Sequence, residues 1–244
     1  MDFQLSDEHR TIRDTAREFA RREVAPFARA WDEEERFPKE IIPKLGDLGF
    51  LGIRIPEAYG GSGFDTLAYA IIVEEIARAD GSLALTVASH NGLGSSHLMT
   101  FGSEEQKRKY LPKLATGQWL GAWALTEPGS GSDAAGLQTR AVRKGDKWVL
   151  NGTKMFITQG SVGGVCVVLA LTSPEKKQKG ITAFAVEMGT PGFTASRHIE
   201  KLGCRSSDTV ELTLENVEVG DGAIVGELDH GFIDTLQILD RGRV

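Results

Sequence analysis

The periodicity of apolar residues changes once along this chain, near Gly117, and that change limits the architectures open to it. Before it, apolar residues recur at helical spacing. Ser6 is a good N-cap with Asp7 and Glu8 in the first turn, and Ile12, Ala16, Phe19 and Ala20 then fall on one face. A second helix is expected from Pro38, with Ile41, Leu45 and Leu48 on one stripe. A third is expected over 66–79, with Leu67, Ala70, Ile71 and Glu74 at helical spacing, after the loop "PEAYGGSGFD". A fourth apolar segment covers about 82–101. Ser103 and Gln106 have the capping-box spacing and open a fifth helix through Tyr110, Leu111 and Leu114.

After Gly117 the runs are short and β-branched. "WLGAWALT", "VCVVLALT", "ITAFAVE" and "TVELTLENVEV" are of strand length, and "LQTRAVRKGDKWVLNGTKMFIT" alternates with turn patterns at Lys144-Gly145-Asp146 and Asn151-Gly152. Helical spacing returns at Phe232, Leu236 and Leu239 and runs to Val244 without a cap, so a fragment of a longer protein is expected. The fold class is therefore α+β. An all-α N-terminal domain (1–117) precedes an antiparallel β-domain (118–228), and residues 229–244 begin a truncated C-terminal helical bundle.

A net charge of −6 argues against a general nucleic-acid or anionic-membrane binder. No apolar run reaches the ~20 residues that span a bilayer, and the N-terminus lacks the basic-then-apolar pattern of a signal peptide, so membrane insertion is not expected and the reading is cytoplasmic. Cys166 and Cys204 lie in separate segments without paired Cys or His spacing, which gives no metal site; both read as small core or partly buried residues. His90 and His97 read as polar helix residues.

The segment "LTEPGSGSD", Leu125 to Asp133, turns from a strand end into a breaker and a run of small residues. It is not a dinucleotide fingerprint, because Ala134 stands where the third glycine belongs. Neither Gly-Lys-Ser/Thr nor G-x-S-x-G is present. Hydroxyls on Thr126, Ser130 and Ser132 and glycine N–H groups remain, a set that suits phosphate oxygens or the carbonyl edge of a heterocycle. Phe156 and Thr158 are i and i+2 in a strand, so a ring and a hydroxyl share one face.

"ALTEPGSGSDAAG" resembles the signature of the acyl-CoA dehydrogenase family. "IPEAYGGSG", "FGSEEQKRKYLPKLATGQ", "WVLNGTKMFITQG", "KLGCRSSDTVEL" and "LDRGRV" follow in the family's order and extend the resemblance over the whole chain. It implies FAD, an acyl-CoA thioester substrate and α,β-dehydrogenation, in which a carboxylate removes the α-proton and the flavin accepts the β-hydride. Electrons then pass to an electron-transferring flavoprotein, and the full-length protein is a homotetramer. By position, Trp123, Leu125 and Thr126 line the flavin ring. Gly131 and Ser132 meet the pyrophosphate, with Ser132 also near the substrate. Phe156, Ile157 and Thr158 form the aromatic-x-Thr beside the isoalloxazine; many members have Trp where this chain has Phe156. Asp240 and Arg243 match the D-x-x-R that lines the acyl-CoA channel. The base of most members falls beyond Val244, and in others it falls at the position of Gly242, which has no side chain. Glu127 reads as structural in its loop, and one of Glu74 and Glu75 as paired with Arg78 or facing solvent. Related acyl-CoA oxidases, flavin monooxygenases and a non-catalytic flavin or acyl-CoA binding module are the competing readings.

Overall fold

Side-chain caps set several of the helix starts in the computed structural model, which describes residues 4–242. Helix α1 (Asp7–Phe19) is capped by Ser6, whose hydroxyl accepts the His9 N–H, and it buries Ile12, Ala16 and Phe19. A π-turn (Ala20–Val24) carries the chain into α2 (Ala25–Glu33), which buries Trp31. Pro26 stands at the start of α2; it has no N–H to give to the preceding turn, and the widened turn lies just before it. The sequence did not predict α2. The helix expected from Pro38 is a 3₁₀ turn (Lys39–Ile41) followed by the short α3 (Ile42–Asp47). Ile41 and Leu45 are buried, but Leu48 lies beyond the helix and is exposed.

Helix α4 (Thr66–Ala77), capped by Asp65, buries Ile71 and half-buries Ala70 as expected, but its buried face is shifted from the expected stripe. Ala68, Tyr69, Ile72 and Ile76 are buried, whereas Leu67 and Glu74 face solvent. The helix is apolar on most sides, so spacing alone does not select its buried stripe. Its Glu75 is buried and receives two bonds from Arg17 Nε and Nη2, at 3.0 and 2.7 Å, not from Arg78. Helix α5 (Gly81–Ser89) passes through a π-turn (His90–Ser95) into α6 (Ser96–Phe101). Helix α7 (Glu104–Ala115) has the expected capping box: Ser103 and Gln106 each bond the other's backbone N–H.

The remaining elements are β1 (Gly121–Ala124), β2 (Arg140–Lys144), β3 (Lys147–Thr158), β4 (Val165–Leu171), β5 (Ile181–Glu187), β6 (Phe193–His198), β7 (Thr209–Gly220), β8 (Ile224–Val225) and α8 (Gly231–Gly242). The strands form one sheet in the order β6-β7-β3-β2-β4-β5-β8, with β1 paired to β4. Most pairs are antiparallel. The exceptions are β1–β4 and one β2–β4 residue pair, both parallel, so the sheet is mixed. Strand β4 is a continuous apolar run because both of its faces are covered. Val165, Val167 and Leu169 join Leu98, Tyr110, Leu111 and Leu114 of α6 and α7, while Cys166, Val168 and Ala170 join Trp148, Phe184 and Val186.

Lys144-Gly145-Asp146 turns β2 into β3, with Gly145 at φ +63. Asn151-Gly152 is not a turn. It lies inside β3 at a register shift, and Gly152 sits so close to Thr139 that a Cβ would fall 2.3 Å from its Oγ1. Cys166 is buried as expected; Cys204 is exposed. In α8, Phe232 and Leu239 pack on the core while Leu236 stays exposed, and Ile238 is fully buried. No helix among the described residues is long and apolar enough to cross a membrane.

Candidate functional site

Strand β1 delivers Leu125 and Thr126 beyond its last residue, and a tight turn then reverses the chain. Within that turn Glu127 and Ser130 exchange backbone hydrogen bonds at 2.9 and 3.1 Å. Glu127 points inward. Its carboxylate accepts from the backbone N–H groups of Gln138 and Thr139 and from Lys154 Nζ at 2.8 Å. Lys154 also donates to the Leu125 carbonyl at 3.1 Å. Burial alone would raise the Glu127 pKa, but Lys154 and the N–H donors hold it below the usual carboxylate range. Burial pulls Lys154 below the usual lysine range, against the attraction of Glu127.

The next residue of β3, Met155, donates its N–H to the Thr126 carbonyl at 2.8 Å. Between Lys154 and Ile157 the pairing with β7 shifts by one residue. Phe156 occupies that bulge at φ +60, uncommon for an aromatic residue, and is 59% exposed. Gln159 follows at φ +63 and is buried; its Nε2 donates to the Thr86 carbonyl at 2.7 Å, and its Oε1 accepts from Ser89 Oγ at 3.2 Å. These bonds hold the end of β3 against α5.

A cleft of ≈160 Å³ opens between the two strand ends. Trp123, Leu125, Thr126, Phe156, Ile157 and Thr158 all line it, so six residues singled out from the sequence come together. Ser89, Leu93 and Gln159 complete the wall and were not foreseen. Gly131 and Ser132 lie outside this cleft, on the exposed part of the loop that continues from it. Ser130 is not available to a ligand: it is buried, and its hydroxyl donates to the Asp133 carbonyl at 2.6 Å. Asp240 is exposed on α8, and Arg243 lies outside the described residues. Gly242 comes up against the π-turn, where a Cβ would fall 3.2 Å from Leu93 Cδ2.

The two histidines are buried structural groups. Nδ1 of His90 accepts the Gly121 N–H at 2.9 Å, and its Nε2 bonds the Leu51 carbonyl at 3.0 Å. Nδ1 of His97 accepts the Trp123 indole N–H at 3.0 Å. Burial lowers each histidine pKa to about 4. No group of three or more potential metal-ligating side chains occurs among the described residues.

An exposed ring, two threonine hydroxyls and the ends of two strands on one cleft form a surface for a planar ligand with polar edges. Among the described residues, the Thr126 and Thr158 hydroxyls have no hydrogen-bond partner within the protein. That arrangement fits an isoalloxazine.

Residues 6–118 match the acyl-CoA dehydrogenase N-terminal domain, and residues 122–217 match the acyl-CoA dehydrogenase middle domain. The chain is 43% identical, over its whole length, to a short-chain specific acyl-CoA dehydrogenase of Clostridium acetobutylicum, of which it covers 64%. It superposes on the butyryl-CoA dehydrogenase of Megasphaera elsdenii with a TM-score of 0.97 at 40% identity, covering 100% of this chain and 64% of that one. An acyl-CoA dehydrogenase complexed with FAD from Bacillus anthracis gives a TM-score of 0.91 at 39% identity, covering 98% of this chain and 41% of that one. The chain thus spans a little under two thirds of the length of the first two.

Proposed function

We propose, from the premise that this chain belongs to the acyl-CoA dehydrogenase family, that it supplies the flavin cleft of an FAD-dependent dehydrogenase of short acyl-CoA thioesters. One observation carries the reading: the Phe156 ring is held outward in a left-handed bulge and lines the same cleft as Thr126 and Thr158. The short-chain substrate is supported by the relatives named for short-chain and butyryl substrates.

In this reading Trp123 and Phe156 are walls for the flavin ring, and Ile157 backs them. The Thr126 and Thr158 hydroxyls and the neighbouring main chain meet its polar edge. Leu125 and Leu93 keep water from that edge. Gly131 and Ser132 hold the pyrophosphate. Ser132, Asp240 and Arg243 contact the acyl-CoA. When bound there, FAD supplies the two-electron acceptor for the β-hydride. The α-proton must go to a carboxylate, and none lines the cleft. That base therefore comes from outside the described residues, since Gly242 offers no side chain. Residues 1–117, 118–228 and 229–244 remain the proposed domains, and an electron-transferring flavoprotein and a homotetramer the proposed partners.

The test is anaerobic addition of butyryl-CoA to the intact flavin-loaded protein. Bleaching of the flavin with formation of the trans-2-enoyl thioester is expected. A protein that binds no FAD, or binds it and stays oxidised with every acyl-CoA, would overturn the reading. Rapid reoxidation by oxygen would assign it to the oxidases of the same fold.

A further inference from the structure

His97 of α6 is fully buried beside the cleft, and among the described residues its side chain has one hydrogen bond, the one from Trp123. Because Nδ1 accepts, the ring proton sits on Nε2, and Nε2 is buried without a partner. A bare donor in the interior is unfavourable. An apolar side chain of similar size would pack against the Phe101 ring, 5.4 Å from His97 between centroids, without that cost. What a histidine adds at this position is an acceptor for the Trp123 indole. His90, seven residues earlier, differs: both of its nitrogens are satisfied, and it anchors the backbone of β1 at Gly121. His97 anchors a side chain of the same strand two residues on.

Trp123 is half-buried, and its ring forms part of the cleft wall. Its position is set by two side-chain torsions, and a directed bond to Nε1 fixes the second. We propose that His97 is a positioning residue for the flavin cleft: by accepting the Trp123 indole N–H it holds that ring as a fixed wall, and so sets the affinity and optical environment of the bound flavin. The inference rests on the flavin reading of the cleft.

The test uses the intact protein with His97→Leu, His97→Gln, Trp123→Phe and the double variant His97→Leu/Trp123→Phe. Indole N–H resonances of Trp31, Trp119, Trp123 and Trp148 are recorded, with the flavin absorption band and the FAD dissociation constant. His97→Leu should move the one indole resonance that Trp123→Phe removes and leave the others in place. It should also change the absorption band and weaken FAD binding about three- to tenfold, the effect of one lost hydrogen bond. His97→Gln, whose amide oxygen can accept the same N–H, should recover most of both. The double variant should bind FAD no more weakly than Trp123→Phe alone. An unmoved indole resonance in His97→Leu, an unchanged FAD affinity and spectrum, or full additivity in the double variant would overturn the proposal. Should His97→Leu fail to fold, Trp123→Phe and His97→Gln probe the same bond from either end. Failure of the flavin reading would show separately, as wild-type protein that binds no FAD while the indole resonance still responds to His97→Leu.

Discussion

Lys154 Nζ stands 2.8 Å from Glu127 Oε1, with both side chains shut away from solvent, and the pair joins β3 to the turn that follows β1. Lys154 completes the junction by donating to the Leu125 carbonyl, and Met155, its neighbour, bonds the Thr126 carbonyl. Two strand ends that line the cleft are thus fixed to each other through one ion pair and two carbonyls. A buried pair costs desolvation on both sides, so its value lies in what breaking it leaves behind.

Removing one partner should therefore be far worse than removing both. Lys154→Met leaves a carboxylate in the interior and should destabilise the protein by about 3–5 kcal/mol. The double change Lys154→Met/Glu127→Gln should recover a large part of that loss. Urea unfolding of the two variants checks this; equal losses would mean that the charges do not act as a pair.

Acid should weaken the fold through His90 and His97. An unfolded histidine titrates near 6.5, and burial lowers both groups to about 4 in the native protein. Between those values the unfolded chain binds more protons, so stability rises with pH. The contribution is fully present above about pH 6.5, is lost as pH falls toward 4, and levels off below. Each histidine adds a slope approaching about 1.4 kcal/mol per pH unit within that window. His97→Gln should lower the slope between pH 6 and 5 by up to that amount. Urea unfolding of wild type and variant across this range measures it, and identical slopes would count against a neutral buried His97.

Gly152 tests the reading of β3 as one continuous strand. A Cβ there would lie 2.3 Å from Thr139 Oγ1 and 2.8 Å from its Cα, so the neighbouring backbone must give way. Gly152→Ala should destabilise by about 1–3 kcal/mol. In an exposed hairpin turn the same change would be milder, and a neutral result would favour the turn.

Much of this was legible where a local rule is self-contained. Ser6 with its first-turn acids and the Ser103–Gln106 box each need only neighbours in sequence, and both helices start where those residues place them. Legibility failed where two local rules compete or where tertiary contact decides. Pro26 and the π-turn break the 3.6-residue period, which hid α2. Asn151-Gly152 has turn chemistry, yet the close approach of Thr139 explains the glycine inside a strand. On the cleft, residues of the two strand ends were found through motifs. Ser89, Leu93 and Gln159 have no motif of their own; α5 and the π-turn bring Ser89 and Leu93 to the site from 30 or more residues before β1 ends. The His97–Trp123 bond likewise spans 26 residues and leaves no trace in the local pattern.

The chemistry of the cleft leads to the last expectation: these 244 residues alone, reconstituted with FAD, should not dehydrogenate an acyl-CoA. Proton abstraction beside a thioester needs a positioned carboxylate, and general-base catalysis is typically worth ~100- to 10,000-fold. The cleft walls are hydroxyl, amide, aliphatic and aromatic groups. Glu127 is already bound to Lys154 and two backbone N–H groups, and Glu75 is bound to Arg17. Glu74 and Asp240 are exposed on α4 and α8 and are not among the residues that line the cleft, and position 242 is a glycine. Anaerobic mixing of the purified, FAD-loaded chain with butyryl-, isobutyryl- or octanoyl-CoA should therefore leave the flavin oxidised. Bleaching at a rate comparable to that of a full-length family member would place the base within residues 1–244, and Glu127 and Glu74 would then be the first side chains to replace.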